Sequence, residues 1–207
     1  HWVPASLNMM TVALGILIIQ AFIGTFWDDA VAAYGIATRI EQIALLPTIG
    51  LNIAAMSLIG QNNGAGKLDR VKEIYKKCLL YGSFVVIPMM IIIWFWAEEL
   101  INIFPNTSAS TTQIGAYYLR IALWLFVGYV ALFISMAALQ GMKRPGFTMI
   151  IWLARQIVLA LPLYWLLTRV LGFGIESIWW GTFAIIWLSA FVTIGYTMRM
   201  FRKLEKA

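Results

Sequence analysis

Six long apolar runs, separated by short charged segments, dominate this sequence and leave it few ways to fold. They fall at about Val3–Phe26, Val31–Gly60, Cys78–Trp96, Ile114–Leu139, Phe147–Thr168 and Ile178–Met198. A helix needs about 20 apolar residues to cross the hydrocarbon core of a bilayer, and each run reaches or approaches that length. A transmembrane β-barrel would show shorter segments of alternating polarity instead. Composition agrees: 62% of residues are hydrophobic and 12% charged, well away from soluble domains, which are about half apolar. The expected fold is all-α. A single lobe of six transmembrane helices fills residues 1–207, with connections too short to hold a soluble domain.

An even number of crossings puts both ends on one side, and the loops say which. Eleven of the fifteen Lys and Arg residues lie in Lys67–Lys77, in Lys143–Arg144 and in the tail from Arg199. The other set of connections carries Asp28, Asp29, Glu98, Glu99 and Glu176, with Arg169 as the exception. Basic loops stay on the cytoplasmic side. The expectation is an integral protein of the plasma (inner) membrane with both termini cytoplasmic. The net charge of +6 then reports orientation in the bilayer and calls for no nucleic acid partner. Cys78 is the single cysteine and His1 the single histidine, so neither a disulfide framework nor a Cys/His metal site is expected. No cofactor is expected. The chain begins HWVP, without Met, and is read as a piece of a longer protein.

The second run is too long for its task. Thirty helical residues measure roughly 45 Å, against a core of ~30 Å. Pro47 removes one backbone hydrogen bond within it. Arg39 and Glu41 then lie near one interface, and their i, i+2 spacing points them to different sides of the helix. Glu41 is the one acidic residue inside an apolar run. A proton or Na⁺ site wants such a carboxylate, whereas the plainer reading is an interfacial charge facing lipid headgroups. Arg155 sits about 13 Å from the cytoplasmic end of the fifth run. At that depth a guanidinium must face protein or water. It is read either as a cavity-lining group for an anion or a conformational lock, or as a structural pair with a buried carboxylate or helix-end carbonyls.

The amides Asn8, Gln20, Gln42, Asn52, Gln140 and Gln156 are spread over four helices. Such groups bond across helices or line a sparsely polar pocket. Pro47, Pro88 and Pro162 interrupt membrane helices, and Pro47 and Pro162 are candidate hinges. Trp124, Trp152 and Trp187 lie deeper than the interfacial belt, as lipid or helix packing or as an aromatic wall for a bound molecule.

GQNNGAGK (Gly60–Lys67) invites comparison with a phosphate-binding loop and fails it. Five residues separate Gly60 from Gly66 where a P-loop has four, and Leu68 stands where Ser or Thr would hold Mg²⁺. Gly60, Gln61, Asn62, Gly64 and Gly66 are read as a tight cytoplasmic turn. Gly64 and Gly66 suit a helix C-terminus, and Asp69 suits the cap of the next helix.

The stretch AAYGIATRIEQIALLPTIGLNIAAMSLIGQNNGAGKLDRV resembles the second helix and following loop of the C-terminal half of multidrug and toxic compound extrusion (MATE) transporters. PASLN at Pro4, YLRI at Tyr118–Ile121 and ALQGMKRPGF at Ala138–Phe147 are similar to the family in the same order. The resemblance implies one six-helix lobe of a twelve-helix transporter whose lobes are related by a pseudo-two-fold axis along the membrane normal. It further implies an antiporter that expels lipophilic or cationic small molecules in exchange for Na⁺ or H⁺ by rocking of the lobes. Its implied partners are the bilayer, a small-molecule substrate, and the missing N-terminal lobe or a second six-helix copy.

In some members, acidic residues on the first and fourth helices of this lobe contribute to cation binding. Here both runs lack a carboxylate, and the neighbourhood of Gly128 and Tyr129 is neutral. That places the expected coupling carboxylate in the missing lobe. Alternative readings are a related flippase, with Arg39, Arg120 and Arg155 meeting anionic lipid headgroups, and a truncated module that associates without transporting. An enzyme is not expected, because the runs carry no acid–base pair or activated nucleophile.

Overall fold

The computed structural model describes residues 15, 17–26, 28–105 and 107–205. It is helical nearly throughout. Residue 15 and residues 17–23 are helical and are labelled α1. α1 is followed by α2 (Asp28–Gly64), α3 (Leu68–Asn102), α4 (Ala109–Gly141), α5 (Pro145–Val170) and α6 (Glu176–Leu204). Among the described residues, α2 to α6 are each long and apolar enough to cross a membrane.

The bundle is built around α4, which packs against α2, α3 and α6. Its Gly115, Ala116, Ala122, Gly128, Ala137, Ala138 and Gly141 are all buried. Between membrane helices the hydrophobic effect supplies little attraction, so small residues that permit close packing take its place. The tightest approach is at the basic end of the bundle. A methyl on Gly141 would lie 2.9 Å from the Met56 carbonyl oxygen and 3.0 Å from the Gly60 nitrogen. The outward side of α3 leaves Phe84, Ile91 and Phe95 exposed, as expected of a lipid-facing helix.

Helices run further than the apolar runs did. The third was expected from Cys78, and α3 begins ten residues earlier, at Leu68. The charged stretch keeps helical geometry because Glu73 pairs with Arg70 at 2.9 Å and with Lys77 at 2.7 Å, the spacings that meet on one helix face. Asp69 is not the cap: Lys67 takes that position without a side-chain bond, and Asp69 falls in the first turn, where it complements the helix dipole.

The glycine corner ends α2 in a Schellman motif. Lys67 N–H donates to the Asn62 carbonyl at 2.9 Å, Gly66 N–H to Asn63 at 3.1 Å, and Gly66 adopts φ +69°. The end of α4 repeats the motif: Arg144 donates to Leu139 and Lys143 to Gln140, with Lys143 itself at φ 60°.

The prolines do not act alike. α2 runs unbroken through Pro47. In α3 the break in helical geometry falls at Trp96 (φ −115°, ψ 26°), beyond Pro88. In α5, two π-helical stretches, Ala154–Leu159 and Leu166–Val170, flank the turn that holds Pro162. Proline cannot donate to the preceding turn, and widening the helix is one way to absorb that loss.

Candidate functional site

Five helices surround a cavity of about 630 Å³, with α3 left outside its wall. α2 contributes Tyr34, Thr38, Glu41, Gln42, Leu45 and Ile49. These recur at three- and four-residue intervals, which sets them on one helix face. From α4 come Tyr118, Tyr129 and Phe133, from α5 Trp152, Arg155, Gln156 and Tyr164, and from α6 Thr182 and Ile185. α1 supplies Gly15 and Ile19. A methyl on Gly15 would overlap the Gln156 amide, so glycine lets α1 close against α5 at this point.

Glu41 is only 6% exposed. Tyr118 donates to its carboxylate at 2.7 Å, and Tyr129 and Arg155 also act on it. The carboxylate therefore faces the cavity, and the interfacial, headgroup-facing reading does not hold. Behind it the rings of Tyr34, Tyr118 and Trp179 pack together with centroids 4.7–5.5 Å apart. They make an aromatic floor beneath it. Tyr164 and Thr182 exchange a 2.8 Å hydrogen bond on the opposite wall.

Arg155 is 7% exposed and lies within the first π-helical stretch of α5. Its guanidinium carbon sits 4.3 Å from the centre of the Trp152 ring and 5.9 Å from that of Tyr129. Such cation–π contacts contribute about 0.5–2 kcal/mol. Among the described residues it has no ion pair, and its Nε is buried without a hydrogen-bond partner. Within the described residues Arg155 forms no structural pair. Phe133 stacks between Tyr129 and Trp152 at 5.5 and 6.3 Å, so the aromatic faces form a continuous wall beside the guanidinium.

The structure thus brings Glu41, Gln42, Tyr129, Arg155 and Gln156 to one cavity. It separates the others. Arg39 is exposed, away from the cavity lining. Arg120 pairs with Glu98 at 3.2 Å at the acidic end. The three arginines expected of a headgroup site do not share one. Asn52 donates to the Phe133 carbonyl at 2.6 Å and joins α2 to α4. Gln20 is half-buried outside the lining, and Asn8 lies outside the described residues. Gln61 and Asn62 bond within α2, to Ser57 and to the Leu58 carbonyl, and Gly60 packs on Gly141. That loop motif is a helix end and a crossing point. Pro47 and Pro162 lie outside the lining.

Tyr34, Thr38, Tyr118 and Tyr164 were not singled out from sequence. A signal existed: Tyr34 and Thr38 precede Glu41 by seven and three residues, on its face of the helix.

The sequence matches the MatE family over residues 4–166. It is similar to the probable multidrug resistance protein NorM of Pseudomonas aeruginosa, with 26% identity over 89% of this chain and 39% of that protein. It is 30% identical to an FAD transporter of Shewanella oneidensis, over 77% of this chain and 35% of that one. In fold it is similar to the outward-facing conformation of a multidrug resistance MATE family transporter, with a TM-score of 0.91 at 18% identity, over 99% of this chain and 46% of that one. The chain spans less than half the length of these relatives. With most of its length matched to the family model, the chain belongs to the MatE family of membrane transport proteins.

Proposed function

We propose that this chain is one lobe of a secondary antiporter that exports lipophilic small molecules by alternating access, in exchange for Na⁺ or H⁺. The observation that carries the reading is the buried Glu41 carboxylate facing a 630 Å³ cavity inside the lobe. An intramembrane carboxylate that faces a cavity is a group that a proton, a Na⁺ ion or a cationic substrate can occupy in turn. Competition for one such group is the simplest chemistry of exchange. Glu41 stands on the second helix of the lobe, so the lobe has its own carboxylate although its first and fourth runs have none. The missing lobe, or a second copy, supplies the opposite wall and the rocking partner. The basic end of the bundle is cytoplasmic, in the plasma (inner) membrane. The functional description is transport, not enzymatic catalysis.

Proteoliposomes of the full-length protein that carries this lobe test the proposal. Outward movement of a lipophilic dye should follow an imposed Na⁺ or H⁺ gradient and stop when an ionophore collapses it. Movement that ignores both gradients would reject antiport.

A further inference from the structure

The basic end of the bundle carries a feature on its outer side that transport through the cavity leaves unused. There α3 and α6 meet in antiparallel register through two contacts. Lys72 pairs with Glu205, and the Tyr75 ring packs edge-on against Phe201 at 5.4 Å. These contacts fix which residues flank the seam. Lys76 follows Lys72 by four residues and Arg202 precedes Glu205 by three, spacings that stay on one helix face. One cation from each helix therefore stands beside the seam, about one turn deeper than the ion pair. Both are exposed, and neither has an ion-pair partner among the described residues. The acids nearby do not neutralise them. Glu205 is taken by Lys72, and Glu73 by Arg70 and Lys77. Asp69 lies in the first turn of α3, on the far side of Lys72. Deeper still, each row turns apolar. Leu80 and Phe84 continue the row of Lys76, and Met198 and Phe191 that of Arg202, all four exposed. Between Met198 and Phe191 a methyl on Gly195 would meet nothing within 4 Å, so the surface there is open.

We propose that the seam between α3 and α6 holds an anionic phospholipid of the cytoplasmic leaflet, with its phosphate between Lys76 and Arg202 and its chains along the two apolar rows. The leaflet follows from the orientation given above, and the site itself does not depend on antiport. Two like charges at one level repel each other, and a phosphate placed between them replaces repulsion with two charge-assisted bonds. Basic groups at the cytoplasmic ends of membrane helices gain from anionic lipid in this way. The apolar rows select the lipid over a free phosphate ion or an acidic cytosolic protein, because only the lipid brings chains that cover them. A zwitterionic headgroup carries its own cation and gains less. The bound lipid bridges two helices of the folded bundle, so it stabilises the native state by mass action.

Thermal unfolding of the full-length protein in a non-ionic detergent tests this, with dioleoylphosphatidylglycerol, dioleoylphosphatidylcholine or inorganic phosphate added. Phosphatidylglycerol should raise the midpoint by several degrees, and the other two should raise it much less. Lys76→Gln combined with Arg202→Gln should lose most of that increment. Lys76→Arg combined with Arg202→Lys should keep it. Lys143→Gln combined with Arg144→Gln removes the same charge elsewhere at the basic end and should also keep it. All four positions are exposed, and each variant is compared with its own lipid-free midpoint, so a change in intrinsic stability does not enter. A full increment in the Lys76→Gln, Arg202→Gln variant, or none in the wild type, would overturn the proposal. Equal losses in the two glutamine pairs would overturn it too, because the lipid would then answer only to net surface charge. So would an equal increment from inorganic phosphate, which would show that the chains play no part, or from phosphatidylcholine, which would show that net charge plays none. The dye-export experiment is independent of these results, so either reading can fail alone.

Discussion

Glu41 and Arg155 line one cavity without forming an ion pair. Tyr118 engages the carboxylate and Trp152 lies under the guanidinium. Both charges line the cavity without touching each other.

Tyr118→Phe deletes the donor to Glu41 and keeps the ring that packs on Trp179. A hydrogen bond to a charged group contributes about 1.5–3 kcal/mol. The ring contacts survive, so the expected change in thermal unfolding is a modest loss. Gradient-driven export in proteoliposomes should fall several-fold. Export at the wild-type rate would show that the carboxylate needs no fixed orientation.

Gly141→Ala places a methyl against the Met56 carbonyl and the Gly60 nitrogen, which are backbone atoms and cannot rotate away. Overpacking of this kind costs about 1–3 kcal/mol. The purified variant should unfold at a lower temperature than wild type. Gly146→Ala, where a methyl meets nothing within 4 Å, is the matched control and should leave the midpoint in place.

Lys143 holds the left-handed position of the second Schellman motif, the place glycine fills in the first. Left-handed backbone costs a side-chain-bearing residue roughly 1–2 kcal/mol. Lys143→Gly should therefore raise the unfolding midpoint, as read by thermal denaturation in detergent. A lowered midpoint would mean that the ammonium contributes more at the helix C-terminus than the backbone strain removes.

Orientation is open to labelling. A membrane-impermeant maleimide added to intact cells should modify Ser177→Cys, at the acidic end, and should reach Lys67→Cys only after permeabilisation. Native Cys78 is buried and makes a low background. The reverse pattern would invert the topology.

Sequence made the bundle legible because membrane spans are set by run length alone: the apolar runs give the helices whatever their neighbours are. Helix ends were less legible. The Glu73 pairs with Arg70 and Lys77 extend α3 through a stretch whose polarity marks it as a loop. The cavity was legible in part. Glu41 and Arg155 stand out because charge is rare in such helices. That they share one cavity depends on how α2 and α5 rotate against α4, and single-helix periodicity carries no information about that. Tyr34, Tyr118 and Tyr164 are ordinary membrane-helix residues by type and become site residues only through the side they face. Arg39, two residues from Glu41, shows the converse: an equally conspicuous charge left outside the lining.

The most direct test of the central claim is gradient-driven export by the full-length protein carrying Glu41→Gln, compared with wild type in the same proteoliposomes. Glutamine keeps the size and a hydrogen-bonding oxygen for Tyr118, and removes the charge that Na⁺ or H⁺ would neutralise. The account predicts that export no longer responds to either gradient. Export driven by the gradient at the wild-type rate would contradict it.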